Sequence, residues 1–366
     1  MDSNGVVIAG GGLAGQRCAE RLRRRGYDAP IRMVCAEPQL PYDRPPLSKE
    51  LLAGAERELS FRDPDWYEDN AVELLLGERA AALDADDRTL VLESGERLRY
   101  DHLLIATGAA PRLIPPAARF TNSFALRTVD DARGLREWLR PGARLGIVGA
   151  GFIGLEVAAT ARQLGVEVTI VEAAELPLSG ILGPQLGRWF ADMHLDEGVS
   201  LHLSTSVDQF RGNGRVEELT LSDGRAVPCD ALVVAIGVAP AIEWLGGQPM
   251  DQPGVYAAGD ATGGAHWEAA AAEGVAAADA MLGAAPAPRA PSSFWSDQYG
   301  LRIQYLGDAR FADSVSIDGD PSARDFTALF TRDDKPVAAL MAGRPRALPE
   351  MRRLIAKGQQ EDELPS

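Results

Sequence analysis

Thiols and lysines are what this 366-residue sequence has least of. Three cysteines, Cys18, Cys35 and Cys229, stand too far apart for a CxxC pair or a metal-ligand spacing. The four histidines show no such spacing either, so no disulfide framework and no metal site is expected. Few thiols fit a reducing compartment. Among 37 basic residues only Lys49, Lys335 and Lys357 are lysines. A net charge of −16 lacks the basic face that phosphate backbones require, which excludes nucleic acid as an expected partner. No apolar run approaches the roughly 18 residues of a membrane span, so no membrane partner is expected. The first strand pattern opens at Gly5, so no signal peptide is expected and the expected address is cytoplasmic.

What is present is glycine in patterned places. The length suits two or three domains, and 46% hydrophobic residues is an ordinary globular value. Residues 5–37 predict a strand (Val6 to Ala9), a glycine turn, a helix (Ala14 to Arg25) and a strand (Ile31 to Val34). The run RLGIVGAGFIGLEVAATARQLGVEVTIVE at 144–172 repeats that grammar. Two more strands end on glycine, in DHLLIATGAAPR at 101–112 and DALVVAIGVAP at 230–240. GVYAAGDATGG at 254–264 leads into an alanine-rich helix over 268–282. A Pro/Ala-rich stretch at 283–293 reads as a linker. Beyond it RIQYLG, FTALFTR and PVAALMA predict strands, with a terminal helix from Leu348 and a fraying polar tail.

Gly10, Gly12 and Gly15 form G-x-G-x-x-G between strand and helix. The first glycine permits the turn, the second admits a pyrophosphate, and the third lets helix and strand pack closely. Glu37 follows at the distance of a ribose-binding acid. Gly149, Gly151 and Gly154 repeat the pattern, with Glu172 ending the next strand. A carboxylate there binds both ribose hydroxyls and repels a 2′-phosphate, so NAD(H) is expected rather than NADP(H). Two such turns imply two dinucleotides, most economically FAD and NAD(H).

GGGLAG, PYDRPPLSK, LLIATGAAPR, GAGFIGLEVA, GVYAAGD, HWE and FWSDQY occur in the order seen in FAD-dependent, NADH-dependent ferredoxin reductases, which the chain resembles over nearly its whole length. The resemblance implies an α/β fold of two Rossmann-like dinucleotide-binding domains, glutathione-reductase-like, plus a small C-terminal α+β domain. It places the FAD-binding domain at 1–112 with 236–288, the NAD-binding domain at 113–235 and the interface domain at 289–366. For FAD it implies Gly10, Gly12, Leu13, Ala14, Gly15, Glu37, Arg44, Lys49, Ala80, Ala106, Thr107, Gly108, Arg127, Asp260 and Trp267. For NAD it implies Gly149, Gly151, Phe152, Ile153, Gly154, Glu172 and Gly237. Lys49, Glu156 and Trp295 would serve catalysis, Trp295 where the acceptor docks. The implied acceptor is an iron–sulfur ferredoxin of a cytochrome P450 or Rieske-type oxygenase, met by a monomer or weak homodimer. Two stretches, from Gly237 to Gly259 and from Asp260 to His266, are shorter than the family pattern, which places a β-hairpin in the first. Because the family frames its flavin with both, residues missing from the sequence are expected there rather than trimmed loops.

The segment PYDRPPLSKELL has no cysteine where disulfide reductases of this fold carry a redox pair, so thiol chemistry is disfavoured. Direct delivery is expected: hydride from NADH to flavin, then single electrons to the acceptor, with Lys49 as the cation near the flavin and Glu156 as its partner. Ser48 reads as a helix cap. Arg344, Arg346, Arg352, Arg353 and Lys357 offer either a solvated helix face or a dock for an acidic ferredoxin. Alternatives are a reductase of rubredoxin, quinone or another small acceptor, or a slow redox-sensing protein like apoptosis-inducing factor.

Overall fold

The computed structural model describes residues 3–55, 57–264, 266–285 and 291–363, without the side chains of 358–363. The expected linker therefore lies partly outside the described residues, as does the end of the tail. The chain divides into two compact units, residues 1–43, 58–110 and 239–292 in one, and 44–57, 111–238 and 293–366 in the other. No helix among the described residues is long and apolar enough to cross a membrane.

The first unit is built on a parallel sheet in the order Val255–Ala257, His102–Ile105, Val6–Ala9, Ile31–Cys35, Val72–Leu76. Its central strand, VVIA, is wholly buried on both faces, which is why it reads as a continuous apolar run rather than an alternating one. The helix Leu13–Arg24 leaves the first strand and packs against the helix Trp267–Met281. Small residues set how closely they pack: a Cβ on Gly274 would come 2.1 Å from the Ala14 carbonyl oxygen. Arg21 locks the same pair by donating two hydrogen bonds of 2.8 Å to Asp279. A three-stranded antiparallel layer, Ala80–Asp84, Thr89–Leu92 and Arg97–Arg99, was not anticipated from the sequence.

The second unit repeats the plan. Its parallel sheet runs Ser200–His202, Glu167–Val171, Arg144–Val148, Ala231–Val234, Ser123–Phe124, and the helix Phe152–Gln163 follows the second glycine turn. A second unanticipated antiparallel layer joins Val207–Arg211, Glu218–Leu221 and Ala226–Pro228. The helix Ser179–Asp196 is broken at Gly183 (φ +74°), just before Pro184, and carries His194 on its last turn. Five antiparallel strands, ordered Ser293–Gln298, Leu301–Gly307, Lys335–Ala342, Asp325–Arg332, Ser314–Asp320, form the C-terminal sheet. The helix Leu348–Glu363 covers it, burying Ile355 against Leu306, Ala339 and Met341. The fold class is thus α/β, with two parallel dinucleotide-type sheets and an antiparallel C-terminal sheet.

Between Gly237 and Gly259 the described residues form the short strands Val238–Pro240 and Val255–Ala257 and the single turn Glu243–Leu245, with no hairpin between the two strands. Leu245, on the single turn Glu243–Leu245, is buried beside Leu83 and Val255, which closes the stretch compactly.

Candidate functional site

The first glycine turn is shaped by what a side chain would strike. At Gly10 φ is +127°, and a Cβ would lie 2.0 Å from the Ala106 carbonyl oxygen. One on Gly15 would lie 2.1 Å from the Gly10 carbonyl oxygen, whereas Gly12 faces nothing within 4 Å. The helix opening at Leu13 has Gly12 as its N-cap, and no side chain caps it. Its first-turn N–H groups, at Leu13, Ala14 and Gly15, are thus open to an anion of the pyrophosphate kind. This cradle fits FAD.

Other expected FAD residues gather in the same unit. Glu37 follows the strand Ile31–Cys35 and accepts a hydrogen bond from the Tyr42 hydroxyl. Its carbonyl accepts from Gly77 N–H at 3.1 Å, just before the strand that starts at Ala80. Thr107 Oγ1 donates to the Ala241 carbonyl at 2.7 Å, and Gly108 (φ +72°) accepts from Ala241 N–H at 2.9 Å. Asp260 sits on the turn Gly259–Thr262, and a Cβ on Gly259 would lie 3.2 Å from the Ala14 Cβ. Trp267 Nε1 donates to Asp43 Oδ1 at 2.7 Å, joining HWE to PYDRPP.

The second turn is a near copy. A Cβ on Gly149 (φ +104°) would lie 2.4 Å from the Ala235 carbonyl oxygen, and one on Gly154 would lie 2.3 Å from the Gly149 carbonyl oxygen. Gly151 has one neighbour, at 3.9 Å, and caps the helix that begins Phe152, Ile153 without a side-chain acceptor. Glu172 stands beside this turn, accepting from Ala150 N–H at 2.6 Å and Ala174 N–H at 2.8 Å. Gly237 (φ +99°) accepts from Arg112 N–H at 2.9 Å. Ile153 is exposed near the helix start. The geometry fits a second dinucleotide with an unmodified ribose.

Arg44, Lys49 and Arg127 cluster with this second unit. Arg44 donates to the Arg127 carbonyl at 2.6 Å, and Arg127 precedes a capping box in which Thr128 and Asp131 bond each other's backbone. Lys49 Nζ lies 2.7 Å from Glu156 Oε2, both side chains nearly buried. Burial makes such a pair sensitive: removing one partner leaves the other charge uncompensated.

Two serines complete the carboxylate's surroundings, and sequence reasoning missed both. Ser48 caps nothing. Its hydroxyl donates to Glu156 Oε2, and its carbonyl accepts from Thr160 Oγ1 at 2.8 Å, so the cap reading is corrected. Ser296 Oγ donates to Glu156 Oε1 at 2.7 Å. The signal for Ser296 lay in FWSDQY: the strand period turns Phe294, Ser296 and Gln298 to one side and Trp295 and Asp297 to the other. Trp295 is half-buried, with the Arg302 guanidinium 5.5 Å from its ring centroid.

The thiols are remote from reactivity. Cys18, Cys35 and Cys229 are free and buried, and burial raises all three, Cys35 and Cys229 to about 12. Of the basic cluster, Arg344 is paired with Asp318 and Asp325, Arg352 donates to Ser293 Oγ at 3.0 Å, and Arg353 and Lys357 are exposed.

Comparison with known proteins agrees with this geometry. Residues 4–274 match the pyridine nucleotide-disulphide oxidoreductase family and 293–364 the reductase C-terminal domain. The chain is 35% identical to the anthranilate 1,2-dioxygenase system ferredoxin–NAD(+) reductase component of Burkholderia cepacia, covering 99% of this chain and 96% of that one. It is 38% identical to the biphenyl dioxygenase system counterpart of Paraburkholderia xenovorans, covering 86% and 84%. Putidaredoxin reductase, solved in covalent complex with putidaredoxin, superposes with a TM-score of 0.93 at 30% identity, covering 96% and 93%. Sequence, fold and site geometry thus converge, and the chain belongs to the pyridine nucleotide-disulphide oxidoreductase family, among its ferredoxin–NAD(+) reductases.

Proposed function

We propose that this protein takes hydride from NADH onto bound FAD and passes single electrons to an iron–sulfur ferredoxin that serves a cytochrome P450 or Rieske-type oxygenase. One observation carries the reading: each unit opens a helix on a G-x-G-x-x-G turn with no side-chain cap, giving two dinucleotide cradles in one chain. The flavin, when bound, supplies what no side chain here can, acceptance of two electrons as hydride and their release one at a time.

The protein's own work is orientation and charge. The open sides of Gly12 and Gly151 would admit the two pyrophosphates, while Glu37 and Glu172 would hold the ribose hydroxyls; the Glu172 carboxylate would repel a 2′-phosphate and so favour NADH. Arg44 and Arg127, joined by a hydrogen bond from the Arg44 guanidinium to the Arg127 carbonyl, would supply positive charge to the bound flavin. Lys49 would supply a compact ammonium to stabilise negative charge on the bound flavin, and Glu156, held by Ser48 and Ser296, fixes where that ammonium sits. Buried thiols raised by desolvation favour no cysteine step. The dioxygenase-system relatives and the putidaredoxin complex support a ferredoxin as acceptor.

The test is an NADH-driven cytochrome c reduction assay with and without ferredoxins. A ferredoxin is expected to accelerate it strongly; no acceleration by any [2Fe–2S] or other iron–sulfur ferredoxin would sink the reading.

A further inference from the structure

Glu156 is the end of a longer buried chain. Its Oε1 accepts from Ser296 Oγ at 2.7 Å, Ser296 Oγ accepts from Gln298 Nε2 at 2.9 Å, and Gln298 Oε1 meets His194 Nε2 at 2.9 Å. His194 Nδ1 meets the Tyr299 hydroxyl at 2.7 Å. Glu156, Ser296, Gln298 and His194 are all at most 6% exposed.

The bonds have one direction. Gln298 uses its amide N–H on Ser296, so its oxygen faces His194 and requires Nε2 to carry the proton. Burial pushes His194 down to about 4; the Gln298 bond and Glu197 oppose this, and Arg324 adds to it. The imidazole is therefore neutral near pH 7, and Nδ1 accepts from Tyr299. Every donor in the series points toward the Glu156 carboxylate.

The backbone agrees that Tyr299 is there for its side chain. Tyr299 and Gly300 form the two-residue turn between Ser293–Gln298 and Leu301–Gly307, both at positive φ (+54° and +76°). Asn, Asp or Gly is preferred at such a first position, and tyrosine is strained there.

We propose that Tyr299, His194, Gln298 and Ser296 are positioning residues that aim and charge-stabilise Glu156, and through it hold the Lys49 ammonium. The C-terminal sheet thereby takes part in placing the Lys49 ammonium. The inference rests on the functional reading of Lys49 and Glu156 given above, but its test does not depend on turnover.

The scarcity of lysine supplies the probe. Trace acetylation of the holoenzyme, quantified by mass spectrometry, reads Lys49 against Lys335 and Lys357 in the same molecule. In Ser296→Ala and Gln298→Met, Lys49 labelling should rise about fivefold, the factor one lost hydrogen bond carries, with the two reference lysines unchanged. His194→Gln, which keeps a donor near Nε2, should stay closer to wild type than His194→Leu. Unchanged Lys49 labelling in Ser296→Ala and Gln298→Met would overturn the proposal, as would a parallel rise at all three lysines, which marks general loosening. A Lys49→Met enzyme with normal flavin reduction would instead defeat the functional reading and leave the labelling result standing.

Discussion

At the scale of single residues, one of the chain's few lysines lies in a nearly buried ion pair. Lys49 is one of three lysines and is paired inside the molecule, where a compact ammonium and a carboxylate meet at 2.7 Å. His194 is the clearest titrating reporter of the same neighbourhood. Its native value is about 4 against an unfolded value near 6.5, so between those limits the unfolded chain binds more protons. The contribution is fully present above about pH 6.5 and is lost as pH falls toward 4. It amounts to about 3 kcal/mol when complete. Urea unfolding across pH 7 to 4 should show wild type losing stability faster than His194→Gln; parallel curves would contradict the assignment. Of these residues, Glu156 and Lys49 were legible in the sequence because each lies in a distinctive motif. Ser48 was misread because a serine before a helical run looks like a cap, and only the folded chain shows Glu156 beside it. Ser296 and Glu156 are 140 residues apart in sequence, a contact no local pattern encodes.

At the scale of elements, the glycine turns divide into positions the fold itself needs and positions that open onto free space. Gly10 and Gly149 sit at positive φ under a carbonyl oxygen, so alanine there strains the native chain itself. Gly12 has an ordinary φ of −84° and open space beyond its Cα. Gly12→Ala should therefore leave the thermal stability of the FAD-free protein within a degree or two, while weakening FAD binding by about tenfold or more. Flavin titration of the FAD-free protein, followed by fluorescence, reads the second effect. Equal affinity would remove Gly12 from the pyrophosphate cradle. These turns were readable because strand, turn and helix are contiguous and periodic. The antiparallel layers at 80–99 and 207–228 were not, since their three- to five-residue strands are too short to show a period.

At the scale of the whole molecule, charge is unevenly held. The chain carries −16, yet Arg353 and Lys357 lie exposed on the helix over the C-terminal sheet, and Arg344 is neutralised by two aspartates. If that helix meets an acidic ferredoxin, Arg353→Glu and Lys357→Glu should raise the KM for ferredoxin several-fold at low salt and flatten its salt dependence. Arg344→Ala should change neither. A wild-type KM that is constant from low to high salt would rule out this dock.

The central claim is that hydride reaches the flavin directly, with Lys49 stabilising the charge that arrives. Anaerobic stopped-flow mixing with NADH, read by loss of the flavin's visible absorbance, tests it most directly. Lys49→Met, still binding FAD, is expected to bleach at least about tenfold more slowly than wild type, while a variant with Cys18, Cys35 and Cys229 all replaced by alanine keeps the wild-type rate. Normal bleaching in Lys49→Met, or its loss in the cysteine-free protein, would contradict the account.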